Sequence, residues 1–431
     1  MRARPGSTRD GSASLGSASL ETGAKTAPTR DAFPRTVPEG GLRAPMGEAG
    51  PTARPAERAT GAQHLYVHLP FCAHRCGYCD FVTVTRRDGA AAGEHGAYVD
   101  ALLAELALEA PLLAGEPATI FLGGGTPTFT EPAALARLLG ALPRAREVTV
   151  EANPETVTPA LAELLRGHDV NRVSLGAQTF QPHLLETLER LATPETVRGA
   201  VATLRGAGFD NLSLDLIYGI PGQSEDDLRR DLEETLALAP EHVSAYELEA
   251  KPGTRFTHAH GAELERQAEA LEGFFELVVE MLTGSGYRWY ETANFCRADD
   301  GRDLRAHHNL GYWRGRDYVG VGIGAVSTVA GARWRNTPGL PRYVAALARG
   351  ERPERELEPI DAATHAQELV LLGLRLDEPL ALDGLEGALD RDALARLERG
   401  GLVRIVDGGR ALALTERGRF LGGGVTAELL A

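Results

Sequence analysis

From Leu65 onward, short apolar runs alternate with longer stretches of helical spacing. The apolar runs fall at 65–69, 119–123, 147–151, 172–177, 212–218 and 242–248. Between them lie Ala-, Leu-, Arg- and Glu-rich segments at 96–113, 132–142, 159–167, 194–207 and 225–238. When a helix follows each strand, the chain returns to the same edge before the next strand, so neighbouring strands run parallel. A parallel sheet is stable only when both of its faces are covered. The spacing therefore predicts an α/β fold. In barrels of this kind the reactive side chains collect at the C-terminal ends of the strands and in the loops that follow.

The loop after the first of these strands holds three of the four cysteines, Cys72, Cys76 and Cys79, spaced Cys-x3-Cys-x2-Cys. Thiolates suit iron–sulfur clusters and zinc. A cubane cluster takes four ligands, so three cysteines leave one iron open to a non-protein group. Zinc also needs a fourth ligand, for which His74 or Asp80 is available. A third reading makes the three cysteines one buried helical face. Pro70 and Gly77 oppose a regular helix there.

The next strand ends carry polar groups too. Gly123-Gly124-Gly125-Thr126-Pro127 closes the second, and glycines without side chains let a ligand approach the backbone amides. Glu151, in Glu151-Ala152-Asn153-Pro154, closes the third. Gln178 and Asp215 are read as ending the next two, polar groups in otherwise apolar runs, where a buried carboxylate needs partners. These residues predict a polar ring about one mouth of the sheet.

Together, the stretch Tyr66–Phe81 and these strand-end motifs resemble the radical S-adenosylmethionine (SAM) superfamily. The resemblance is strongest to its branch of oxygen-independent coproporphyrinogen III dehydrogenases and heme chaperones, and covers roughly residues 64–424. It implies an open (β/α)6 partial TIM barrel of the radical SAM type. It also implies that Cys72, Cys76 and Cys79 hold a [4Fe-4S] cluster whose fourth iron is chelated by SAM. The positions matching the family's SAM contacts are Tyr66, Tyr78 (on the adenine), Gly124, Gly125, Thr126, Glu151, Gln178, Arg190 and Asp215. Cofactor chemistry of this type is the cofactor's own, so the pocket does not by itself separate an enzyme from a carrier.

Other positions do separate the two. The dehydrogenases usually show a further cysteine two residues past the third, where this chain has Phe81 in Cys79-Asp80-Phe81, the heme-chaperone form. Tyr290-Glu291-Thr292-Ala293-Asn294-Phe295 and His308-Asn309-Leu310-Gly311-Tyr312-Trp313 also resemble the chaperone branch, and the second motif is associated there with heme. A histidine nitrogen is a common axial ligand of heme, which makes His308 the ligand candidate. The expectation is a heme chaperone that binds a [4Fe-4S] cluster, SAM and heme and passes heme to an acceptor protein. The alternative is a coproporphyrinogen III dehydrogenase of porphyrin biosynthesis. The chain departs from the branch at Ala192 and Val326, where histidines are usual, and at Lys251, where a glutamate is usual. An enzyme with an altered substrate is the third possibility these changes raise. Cys296 reads as a buried thiol.

Net charge is −15, and residues 1–63 hold nine basic and six acidic residues, so the remainder carries about −18. That excludes a general binder of phosphate backbones, and no nucleic acid is expected as a partner. No apolar run approaches the roughly 18 residues of a membrane span, which leaves only peripheral contact with a membrane-bound acceptor open. One clustered cysteine triplet predicts a metal site in a reducing compartment, hence a cytoplasmic protein. Residues 1–63, rich in Gly, Ala, Ser, Thr, Pro and Arg, are expected to be a disordered extension. Met46 offers an alternative start. Residues 64–290 are read as the barrel core and 291–354 as a connecting region. A long helix is expected at about 261–285. Residues 355–431, Leu-rich helices followed by a small hairpin, are read as an α+β winged-helix-like domain acting as a lid or docking module.

Overall fold

The computed structural model describes residues 61–85, 94–251, 255–298 and 301–430. The expected extension 1–63 lies outside these residues except for its last three, where Ala62 bridges to Leu113 and is 1% exposed.

The six predicted strands are present. They are β1 (His64–Leu69), β4 (Thr119–Gly124), β5 (Glu147–Ala152), β6 (Arg172–Gln178), β7 (Leu212–Tyr218) and β8 (His242–Glu247), paired in parallel in that order. Two short strands in the cysteine loop, β2 (Phe71–Cys72) and β3 (Val84–Thr85), pair with each other. Helices α1 (Glu94–Glu109), α2 (Pro132–Ala141), α3 (Pro159–Gly167), α5 (Pro194–Gly206) and α6 (Glu225–Ala237) return the chain between strands, with a short α4 (Pro182–Thr187) after β6. Proline at the first turn starts α2, α3, α4 and α5, where its missing N–H costs nothing. Thr158, Thr193 and Ser224 cap α3, α5 and α6 through their hydroxyls.

These strands alternate more sharply than their apolar runs announce. Leu65, Val67, Leu69, Ile120, Leu122, Val148, Val150, Val173, Leu175, Leu212, Leu214 and Val243 belong to the main core. The residues between them, among them His64, Tyr66, Thr119, Glu147, Glu151, Ser174, Asp215 and His242, share the opposite face. Ser174 and Ser213 donate to Asp215 there, and Ser213 meets the His242 ring at 2.9 Å. Period-2 alternation in a parallel sheet means that the polar face lines an interior and the apolar face lies under the helices.

The sheet has twelve strands, and residues 287–359 extend it at both edges. β9 (Tyr287–Glu291) and β10 (Asn294–Arg297) add antiparallel beside β8. At the other edge β11 (Tyr318–Val321) is a seventh parallel strand, paired with β1, followed by antiparallel β12 (Val326–Val329), β13 (Ala332–Asn336) and β14 (Arg355–Pro359). The sheet does not close. The expected long helix is instead two, α7 (Arg255–Gln267) and α8 (Leu271–Gly284), joined by a 3-10 turn at Ala268–Ala270. The break lets them serve different cores. Phe274, Leu277, Val278 and Leu282 of α8 join the main core, while Phe256 of α7 packs with Leu184, Leu188, Ile217 and Ile220.

Helix α9 (His307–Trp313) lies between β10 and β11 in the chain, and α10 (Leu340–Ala348) packs on α1. The last segment opens with α11 (Ala362–Gly373), runs through strand β15 (Leu380–Ala381) and helix α12 (Arg391–Arg399), and forms a hairpin of β16 (Val403–Val406) and β17 (Ala411–Leu414). Helix, strand, helix and hairpin thus follow in that order around a core of their own, Val370, Leu374, Leu397, Leu412 and Val425. The segment is held to the sheet by ion pairs with strands near both of its edges. Glu368 of α11 pairs with Arg333 of β13 at 2.7 Å. Beyond the end of α11, Arg375 pairs with Glu291 of β9 at 2.7 Å and Asp377 with Arg288 at 2.7 Å. One helix and its following loop thus reach both edges of the unclosed sheet.

Candidate functional site

The cysteine loop leaves β1 at Pro70 and is tied at both ends. Val84 N–H donates to Pro70 O at 2.8 Å, and His68 Nε2 meets Val82 O at 2.8 Å. Cys72 is buried, whereas Cys76 and Cys79 are half-buried, with Cys79 N–H turned onto Cys76 O at 3.2 Å. Burial pushes the Cys72 thiol up to about 11 and raises that of Cys79 as well. Such thiols become good ligands only when a metal replaces the proton. Among the described residues no group of three or more His, Cys, Asp or Glu side chains is arranged to hold a single metal ion. A cubane places its cysteines on different irons and so spaces their sulfurs more widely than one ion does. Three thiols on one loop are the donor set that a cluster with one open iron takes.

The glycine motif comes to the same place. A β-carbon on Gly125 would lie 2.5 Å from Pro70 O and 3.0 Å from Cys72 Sγ, so only glycine lets this strand end reach the cysteine loop. Gly124 has φ +114°, and its N–H donates to Glu151 Oε2 at 3.1 Å. Thr126 Oγ1 donates to Cys72 Sγ at 3.6 Å and accepts from Asn153 Nδ2 at 3.1 Å. Asn153 Oδ1 accepts from Arg190 Nη2 at 2.9 Å, and Arg190 Nη1 lies 3.7 Å from Cys76 Sγ. A continuous polar arc, Cys72–Thr126–Asn153–Arg190–Cys76, thus joins two of the three cysteines.

Inside the mouth sit two carboxyls with raised pKa values. Burial, then the neighbouring charge of Asp215, pushes Glu151 up to about 7 against the pull of the Gly124 N–H. Burial likewise raises Asp215, although Ser174, Ser244 and Ser213 hydroxyls favour its charged form. Two buried carboxyls with raised pKa values, on the same sheet face and near a guanidinium, suit a ligand that carries a cation and a carboxylate together. SAM is such a molecule.

Tyr66 reaches the same interior, with its hydroxyl 3.0 Å from His68 Nδ1. The Tyr78 ring meets Phe256 edge-on at 6.4 Å on the opposite side of the cysteine loop. Gln178 sits at φ +67°, where the register between β6 and β7 slips. Its side chain lies over Gly176, where a β-carbon would come within 2.8 Å of Nε2. Every sequence-predicted cluster and SAM residue is therefore in or around one mouth.

His308 is elsewhere. It enters near the start of β4, with Nδ1 2.8 Å from Thr119 Oγ1 and Nε2 3.0 Å from the Tyr312 hydroxyl. Thr119 is the first residue of β4 and Gly124 the last, so roughly 16 Å of strand separates this floor from the mouth. Its ring stacks on Phe121 at 5.1 Å and is 1% exposed. Glu147 accepts both the His307 and His308 N–H groups, at 3.1 and 3.0 Å, which anchors the start of α9. Ala192 is buried, Val326 lies half-buried on β12, and Cys296 is 4% exposed.

The sequence reading missed Asn153 as a link, His68 as the anchor of the loop, and Asp231. The Asp231 carboxylate is 1% exposed and accepts from Thr179 Oγ1 at 2.6 Å, Phe180 N at 2.7 Å and Gln181 Nε2 at 3.0 Å. It clamps the turn that carries Gln178. The signal available for His68 was its place in the polar half of an alternating strand; Asp231, on a helix that reads as amphipathic, offered none.

Comparison with known proteins agrees with this geometry. The radical SAM superfamily model matches residues 66–235. The heme chaperone HemW of Mycobacterium tuberculosis is 37% identical over 376 residues, which covers 85% of this chain and 94% of the relative. HemW of Bacillus subtilis is 31% identical over 391 residues, covering 85% and 98%. The solved structure of coproporphyrinogen III oxidase (HemN) from Escherichia coli, a radical SAM enzyme, superposes with a TM-score of 0.68 at 24% identity, covering 86% of this chain and 91% of that one. Since the likeness to the chaperones covers 85% of this chain, well beyond the residues the superfamily model matches, the protein belongs to the HemW family of the radical SAM superfamily.

Proposed function

We propose that this protein is a heme chaperone that carries a [4Fe-4S] cluster and SAM, binds heme and passes it to an acceptor protein. The observation that carries the reading is the identity with curated heme chaperones over 94% of a relative's length. Phe81, 61% exposed two residues past Cys79, adds to it, because a further cluster-loop cysteine marks the dehydrogenases.

In this reading Cys72, Cys76 and Cys79 hold the cluster, and Thr126 and Arg190 lend polar hydrogens to two of the sulfurs. Gly124, Gly125, Glu151, Gln178, Arg190 and Asp215 receive SAM, with Tyr66 and Tyr78 on its flanks. A reduced cluster can donate an electron to bound SAM; that chemistry belongs to the cofactors. What the chain contributes is a fixed cradle. Gly125 admits the strand end against Cys72, Asn153 aligns Arg190, and Asp231 holds the turn of Gln178. The acceptor is a protein, and the cytoplasm is the compartment that suits a cluster held by open thiolates.

Anaerobically reconstituted protein titrated with hemin tests the proposal. A saturable Soret change, followed by heme transfer to apomyoglobin as a sink, is the expected outcome. Formation of protoporphyrinogen from coproporphyrinogen would favour the dehydrogenase instead. Replacing any of Cys72, Cys76 or Cys79 with Ala should remove the iron–sulfur absorbance, while Cys296→Ala should keep it.

A further inference from the structure

A chaperone must take up heme and release it, so its iron ligand has to be reachable. His308 is not. Both ring nitrogens are engaged, by Thr119 and Tyr312, and the ring is 1% exposed beneath α9. Freeing it would require α9 to leave the Glu147 carboxylate that anchors its first two amides. His64, His68 and His242 are likewise buried and hydrogen-bonded.

Histidines that bind metal usually present one nitrogen while a carboxylate or carbonyl holds the other. Among the described residues three histidines lie against a carboxylate. His183 meets Asp227 at 3.6 Å, but that carboxylate already belongs to the N-terminal cap of α6 with Ser224. His307 meets Asp303 at 3.7 Å, next to His308 at the floor. The third is His74, in the cysteine loop, with Nε2 3.4 Å from Glu189 Oε2 and about a third of each side chain exposed. Its other ring nitrogen has no hydrogen-bond partner among the described residues.

The segments that carry His74 and Glu189 also hold two exposed apolar side chains. Phe81, at the end of the same loop, is 61% exposed, and Leu191, two residues past Glu189, is 57% exposed. Glu189 itself packs on the loop, since a β-carbon on Gly77 would stand 3.2 Å from its Oε1. Arg75, adjacent to His74 and exposed, supplies a positive charge for a carboxylate.

We propose that His74 is an axial ligand of the heme iron, with Glu189 holding its second ring nitrogen, Phe81 and Leu191 covering the porphyrin face, and Arg75 meeting a propionate. The inference rests on the heme-chaperone reading and places heme at the rim of the cluster mouth. The bond is dative: a neutral imidazole lone pair goes to the iron, no electron is transferred, and the N–H toward Glu189 stays in place. His308 is then a structural residue of the floor.

The test is hemin titration of the cluster-reconstituted full chain, read by Soret position and by electron paramagnetic resonance of the ferric heme. In His74→Ala the affinity falls at least about tenfold and the histidine-ligated signal disappears, while added imidazole restores that signal. Glu189→Gln weakens binding by about tenfold or less with the signal retained. Phe81→Ser and Leu191→Ser, which leave every cluster ligand in place, weaken binding without changing the spectrum. Iron and sulfide content checks that each variant keeps its cluster. Wild-type affinity and spectrum in His74→Ala, with the signal lost in His308→Ala, would overturn the inference and leave the chaperone reading standing. Wild-type protein that binds no heme would overturn both.

Discussion

Asp231→Asn is the perturbation that separates the cradle from its contents most cleanly. Asp231 touches neither the cysteines nor the mouth, yet it accepts three hydrogen bonds from the turn that follows β6. An asparagine of the same shape can still accept from Phe180 N and Gln181 Nε2 through its carbonyl. Its amide cannot accept from the Thr179 hydroxyl, which already receives the Gln181 N–H at 3.1 Å and is fully buried. That leaves one hydroxyl proton without an acceptor, at about 1–3 kcal/mol, and removes the charge from two further bonds. Burial raises the Asp231 pKa, so part of this loss is offset by no longer desolvating a carboxylate. The expected net loss is about 2 kcal/mol, read as a lower urea midpoint at unchanged m-value. Asp231→Ala orphans all three donors and should cost roughly 3–5 kcal/mol.

The functional half of the prediction concerns Gln178. A non-glycine residue at φ +67° sits about 1–2 kcal/mol above its relaxed state and stays there only while its surroundings insist. With the clamp weakened, Gln178 relaxes and SAM affinity, measured by equilibrium binding to cluster-loaded protein, drops by about tenfold, equivalent to about 1.4 kcal/mol. If that coupling is real, Asp231→Asn adds little to Gln178→Ala in a double-mutant cycle. Lost stability with SAM affinity unchanged would refute the link between the turn and the mouth. Unchanged stability would refute the hydrogen-bond reasoning itself.

Three further outcomes are expected. Glu151 ionises only as pH rises through about 7, so the affinity for cationic SAM should increase across that pH, and Glu151→Gln should flatten the profile. His308→Ala should cost roughly 2–4 kcal/mol of stability in urea denaturation, for a buried ring bonded at both nitrogens, while the iron and sulfide content of the reconstituted protein stays at the wild-type level. Burial holds His64 and His68 down at about 4, and His242 and His308 well below 6.5. The unfolded chain therefore takes up protons near 6.5 that the folded chain refuses, and stability present above that pH is lost as pH falls from 6.5 toward 4. Thermal unfolding midpoints across that range check the sign.

Local pattern carried a large part of the result. The six parallel strands, their helices and the cysteine loop were legible because apolar runs, helical spacing and ligand spacing are properties of neighbouring residues. Cys72, Gly125 and Glu151 each lie at or near the end of a predicted strand, and parallel pairing in register brings such ends together without further information, whereas Asp215 stands in the middle of its strand. The two edge extensions were less legible. β9 to β14 are short, and their partners lie far along the chain: β11 pairs with β1, more than 250 residues upstream by sequence number. Nothing local records such a pairing.

His308 shows the same limit at a single residue. Its motif is recognisable in the linear sequence, but whether an imidazole faces a ligand or a protein hydroxyl depends on Thr119 and Glu147, which approach only after the sheet forms. His74 is the converse. In sequence it is one of twelve histidines; in the fold it has a carboxylate behind it and exposed apolar side chains on the segments that flank it. Spacing along the chain determined which residues could bind a cluster. The long-range contacts decided which side chains remain reachable, because burial and hydrogen bonding are settled by what packs against a group and not by its neighbours in sequence.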